Sequence, residues 1–152
     1  WWGLASGLTA FDRTCGRPDE VEPVPNLIGT AAGWGGLPTS EASYVGVDPA
    51  LPPGEYELTF KDVPVEAFWS VSVYNAAGFF EPNPRNLYSV NSITGVPNED
   101  GSITVRLRAE VGDDAPPNCI VTPIGWNYLI RLYRPRSEFF TGAWTVPALT
   151  VG

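Results

Sequence analysis

The sequence predicts an all-β protein: an antiparallel β-sandwich of jelly-roll-like form, in a single domain, with a short N-terminal helical or irregular extension. Three observations carry this. Apolar and polar residues alternate with a period of two in several short runs, the signature of strands with one face inward. Gly and Pro number 16 each among 152 residues, punctuation that suits many strands joined by turns. The length is that of one domain, large enough to bury a core without staples.

The elements follow in chain order. In residues 1–12, Trp1, Leu4, Leu8 and Phe11 share helical spacing, interrupted by Gly3 and Gly7. Residues 1–33 are expected to form an extension packed on or beyond the domain, and residues 34–152 the β domain. Asp19 to Pro25 is an acidic, Pro-interrupted loop. The run Gly29-Thr30-Ala31-Ala32-Gly33-Trp34-Gly35-Gly36 permits tight turns but lacks the spacing and lysine of a phosphate loop. From Tyr44 the period is two. Tyr56, Leu58 and Phe60 predict one strand, and Trp69, Val71 and Val73 a second. Ile103, Val105 and Leu107 predict a third, Ile130 and Leu132 a fourth. Asn98-Glu99-Asp100-Gly101 is a turn with glycine at a positive-φ position, and Asp113 to Asn118 a longer polar loop.

Composition excludes much chemistry. The net charge of −8 repels nucleic acid and anionic membrane. The chain has no histidine. That removes imidazole acid–base catalysis, Ser-His-Asp and Cys-His nucleophiles, and His-ligated metal sites. No stretch of about 18 apolar residues occurs, so no membrane span is predicted. The sequence does not begin with Met, which a removed secretory signal would explain; a secreted, periplasmic or cell-surface location is expected. In such a compartment Cys15 and Cys119 would form a disulfide; otherwise they are two thiols.

Several candidate sites stand beside structural alternatives. Arg131 and Tyr133 share a strand face, with Arg134 and Arg136 beside them. Arg131 would hold a carboxylate or sulfate in a pocket lined by Tyr74, Asn75 and Tyr88. The alternative is ion pairing of these arginines with Glu138, Glu66 or Asp62 and packing of their stems. The loop asparagines, Asn91 among them, would read sugar hydroxyls with Trp34, Trp126 and Tyr128 as stacking partners, or else close turns. Paired acids such as Asp113-Asp114 and Asp19-Glu20 would have to converge in a cleft for hydrolysis; adjacent acids more often form a solvated face. Calcium needs only oxygen ligands and would suit Asn98 to Gly101 or Asp113, but the spacing is not that of an EF-hand loop. No other cofactor is expected. Cys119 has no imidazole to activate it.

The string Ala67-Phe68-Trp69-Ser70-Val71-Ser72-Val73-Tyr74-Asn75, the segment Tyr88-Ser89-Val90-Asn91, and Asp100-Gly101-Ser102-Ile103-Thr104-Val105 together resemble a known family. Pro117-Asn118-Cys119, Gly125-Trp126-Asn127-Tyr128, Arg131 to Arg136 and Gly142-Ala143-Trp144-Thr145 continue the likeness. The chain from Trp34 to Pro147 resembles the domain of unknown function 1214, in its stand-alone version without the companion domain numbered 1254. Related chains tend to carry a histidine where this one has Asn26 before Leu27-Ile28-Gly29. The resemblance implies a jelly-roll-like β fold and no reaction.

Together these readings favour a non-enzymatic, exported β-sandwich module that binds a small polar, sugar-like or anionic ligand, or a protein. Its expected ligand-binding residues are Tyr74, Asn75, Tyr88, Asn91, Arg131 and Tyr133. One alternative is a structural subunit of an extracellular fibre or surface assembly, self-assembling through Trp1 and Trp2. Another is a histidine-independent hydrolase using carboxylates.

Overall fold

A computed structural model of the chain describes residues 38–152, which form two four-stranded sheets packed face to face. The first sheet holds β1 (Ala42–Val47), β7 (Asn127–Tyr133), β3 (Trp69–Tyr74) and β4 (Ser89–Asn91), in that order and antiparallel throughout. The second holds β6 (Cys119–Val121), β5 (Ile103–Arg108), β2 (Tyr56–Phe60) and β8 (Thr150–Val151). A single helical turn, α1 (Ser137–Phe140), lies between β7 and β8. The expected boundary at residues 33/34, with Trp1, Trp2, Cys15 and Trp34, lies outside the described residues.

Each alternating run of the sequence becomes a strand because one set of its side chains can be buried. Val71, Ile130 and Leu132 of the first sheet meet Leu58, Val105, Leu107 and Ile120 of the second in one core. Aromatic rings close the core at both ends. Phe60 stacks on Trp69 at a centroid distance of 4.2 Å; at the opposite end Trp126 lies 5.6 Å from Tyr56 and 6.0 Å from Tyr128. Trp126 is 1% exposed, and its indole N–H donates to the carbonyl of Pro52 at 3.2 Å. Trp126 and Tyr128 are therefore core residues, not the sugar-stacking platform that their position in the sequence allowed.

One pairing departs from the all-antiparallel expectation. β6 runs parallel to β5, with Arg106 opposite Cys119 and Arg108 opposite Val121. Antiparallel pairing follows from a tight hairpin, but the 109–118 connection carries the chain back along the sheet before β6 begins. It ends at Asn118, whose φ of 59° lies in the left-handed region that asparagine tolerates. Asn118 also exchanges two side-chain hydrogen bonds of 2.8 Å with the backbone of Val96. The backbone N–H of Val121 donates to Leu87 just before β4, so the two sheets meet along this side.

The 98–101 turn forms as the sequence predicts. Gly101 has φ of 80°, and Asn98 N–H donates to the Ser102 carbonyl at 2.7 Å. Asp100 is engaged within the chain: its carboxylate accepts from the Ser102 hydroxyl at 2.6 Å and from Lys61 Nζ at 2.9 Å. Those bonds, the Ser102 hydroxyl foremost, hold its carboxyl far below the ordinary value of 3.8.

Ile130→Ala removes the centre of the core and is expected to cost about 2–5 kcal/mol in urea unfolding. Asp100→Asn is expected to lower the urea midpoint at pH 7. A carboxylate with a depressed folded pKa stabilises above its unfolded value and loses that contribution as pH falls below it. The gap between the two proteins should therefore stay constant above about pH 5 and narrow as pH drops below 3.8.

Candidate functional site

Register decides which residues share the outer face of the first sheet. Arg131 on β7 lies opposite Tyr44 on β1 and Ser70 on β3, and Ser70 lies opposite Asn91 on β4. One row along, Ser72 lies between Leu129 and Ser89. The sequence predicts Ser70 and Ser72 to face solvent, yet they are only 8% and 4% exposed. β3 sits inside the sheet, and longer side chains from its neighbours reach across the small serines.

Arg131 is the centre of this arrangement. Its guanidinium donates from Nη1 to the Ser72 hydroxyl at 3.0 Å and from Nη2 to the Tyr74 hydroxyl at 2.5 Å. Its terminal carbon lies 5.9 Å from the centroid of the Tyr74 ring. The Ser72 hydroxyl donates onward to Ser89 at 3.1 Å, and Ser89 donates to the Val71 carbonyl at 2.9 Å. Each hydroxyl in this relay both accepts and donates, which fixes its rotor and, through it, the arginine.

The neighbouring arginines take the structural role that the sequence also allowed. Arg134 pairs with Glu66 at 2.7 Å, and Arg136 approaches Glu138 at 4.0 Å. On the second sheet, Arg106 and Arg108 share Glu57, each at 3.5 Å. Among the described residues no carboxylate lies within 4.0 Å of Arg131.

The remaining candidates divide. Tyr88 joins Arg131 and Tyr74 through Phe80, a residue that no sequence pattern singled out. The 75–88 loop inserts Phe80 between Tyr74, at 4.8 Å and 8° between ring planes, and Tyr88, at 5.1 Å and 21°. The signal available was the doubled Phe79-Phe80 in an otherwise small and polar loop. Asn75 shapes that loop. Its side-chain oxygen accepts from the N–H groups of Ala77 and Phe79, and its amide donates to Glu81 at 2.8 Å. Asn91 shares the Arg131 row, but its oxygen caps the turn at Ile93 and Thr94. Asn83 accepts from the Leu87 N–H in the same manner. Tyr133 lies two residues along β7 and stacks on Phe68 at 4.2 Å. These asparagines act as turn-closing groups.

Other features sit elsewhere. A groove of about 260 Å³ is lined by Asn83, Pro84, Arg85, Ala109, Glu110, Val111 and Val121. Arg85 crosses beside it and donates to the carbonyls of Gly112 and Asp113, both at 2.8 Å. Asp113 and Asp114 are exposed. Among the described residues no three His, Cys, Asp or Glu side chains cluster as metal ligands. Cys119 is 4% exposed, and burial pushes its thiol pKa up against the opposing pull of Arg108, Arg106 and Arg85. Its expected disulfide partner, Cys15, lies outside the described residues. No described helix is long and apolar enough to cross a membrane.

Residues 49–137 match the family model described as Protein of unknown function (DUF1214). The chain belongs to that family. The match takes in β2 to β7 and every residue of the Arg131 relay. Among solved structures, the VPA0106 protein from Vibrio parahaemolyticus is 28% identical with a TM-score of 0.74, over 93% of this chain. This chain spans 39% of the length of that protein. An uncharacterised protein from Burkholderia cenocepacia is 19% identical with a TM-score of 0.45, over 72% of this chain and 29% of its own. No curated protein matches the chain.

Asn75→Ala removes two backbone caps and a bond to Glu81. It is expected to cost about 1–3 kcal/mol in denaturant unfolding and to speed amide hydrogen exchange at Ala77 and Phe79 selectively.

Proposed function

We propose that this DUF1214 chain is a binding module that takes an anionic group on the outer face of its first sheet. One observation carries the reading. Arg131 is held in a fixed direction by two neutral hydroxyls, while no described carboxylate neutralises it. Guanidinium has five N–H donors, and the bonds to Ser72 and Tyr74 engage two of its nitrogens. The Tyr74 hydroxyl accepts from Arg131, which leaves its own proton to point at the same ligand. A fixed guanidinium beside a phenol suits a carboxylate better than a neutral sugar. Export belongs to the same proposal, on the acidic and lysine-poor composition.

The test is an NMR titration that follows the Arg131 side-chain N–H signal with sodium acetate and sodium sulfate, using glycerol and methylammonium chloride as controls. Saturable shifts are expected for acetate and none for glycerol. Arg131→Gln should weaken acetate binding at least tenfold, and Tyr74→Phe several-fold, with folding of each confirmed by its unfolding curve. Equal acetate shifts in wild type and both variants would overturn the assignment.

A further inference from the structure

The ligand's chemical class is legible one step further, on the premise that Arg131 receives an anion. The 75–88 loop is tightly hydrogen-bonded. Besides the Asn75 caps, Asn75 N–H donates to the Phe79 carbonyl at 2.8 Å, and Gly78 N–H returns to Asn75 at 2.9 Å. A loop so constrained nevertheless presents two consecutive phenylalanines to water: Phe79 is 66% exposed and Phe80 46%. The neighbouring 122–126 loop adds Ile124, 85% exposed. The two loops are joined where Asn127 donates to the Asn75 carbonyl at 3.1 Å, and Gly125 lies against Ala76.

This apolar platform adjoins the cation. Tyr74 is common to both, its ring centroid 5.9 Å from the guanidinium carbon and 4.8 Å from the centroid of the Phe80 ring. Glu81, exposed and held by Asn75, adds a negative charge to the same loop. That charge repels a polyanion more than a ligand with one anionic head and an apolar body. We infer that the ligand is a monocarboxylate with an aliphatic body. Its head lies on Arg131 and Tyr74, and its chain runs over Phe80 and Phe79.

Calorimetric titration with acetate, hexanoate and decanoate, each below its micelle concentration, tests this beside decanol and decyltrimethylammonium. Affinity is expected to rise at least twofold per added methylene, within the roughly fourfold ceiling set by full methylene burial. Decanoate should bind at least tenfold more tightly than decanol, a preference that Arg131→Gln removes. Phe80→Ala should flatten the chain-length dependence, read as the ratio of decanoate to acetate affinity in that variant, so that any change at the anion site cancels. Phe79→Ser, at a more exposed position, should reduce it without disturbing the fold. If acetate binds through Arg131 but chain length makes no difference, the aliphatic body is wrong and the anion site stands. If neither acetate nor decanoate binds, both fall.

Discussion

The register of β7 is the constraint on which the rest depends. This strand lies between β1 and β3 and is hydrogen-bonded to both. Its even-numbered residues Tyr128, Ile130 and Leu132 build the core, and its odd-numbered residues Leu129, Arg131 and Tyr133 face outward. A slip of one residue would send Arg131 into the core and Ile130 to the surface. Burial of an unpaired guanidinium in apolar packing is prohibitively costly, so the core and the outer arginine specify the same register. The position of Arg131 opposite Ser70 and Tyr44 is thus a by-product of hydrophobic packing on the other face.

Small residues on β3 let that position hold a fixed guanidinium. Ser70 and Ser72 leave room above the central strand, and the arginine and tyrosine side chains fold over it. Larger residues there would lift Arg131 away from the sheet. The Ser72 and Tyr74 hydroxyls also satisfy guanidinium donors without adding charge. The pairs Arg134–Glu66 and Arg106–Glu57–Arg108 show the other solution, in which carboxylates absorb the charge.

The strands were legible in the sequence because period-two alternation is a local property. Tyr56–Phe60, Trp69–Tyr74 and Ile103–Arg108 each declare their inward face without reference to any partner. Membership of the family was legible for a related reason, since its characteristic strings are those strands and their turns. What could not be read was which residues meet across the sheet. Burial of Ser70 and Ser72 depends on neighbours far away in sequence. So does the parallel β5–β6 pair, which the path of the 109–118 loop determines. Tyr74, Tyr88 and Arg131 were nameable as candidates, but Phe80 was not, because its role comes from a loop that carries it back between two tyrosines.

The electrostatics of Arg131 follow from its half-buried position. The net charge of −8 opposes an approaching anion in general, but at physiological salt charges beyond about 8 Å are largely screened. The nearest charge therefore decides. At the sheet surface, with an effective dielectric near 20, a carboxylate about 4 Å from the guanidinium gains on the order of 4 kcal/mol of Coulomb energy before desolvation. In open water the same contact is worth about 1 kcal/mol. Deeper burial would strengthen the attraction but would demand a permanent counter-ion, which would fill the site. Arg131 sits between these limits. It is buried enough for Ser72 and Tyr74 to aim it and still partly exposed to water. On the reading proposed above, such a position suits an anion that comes and goes.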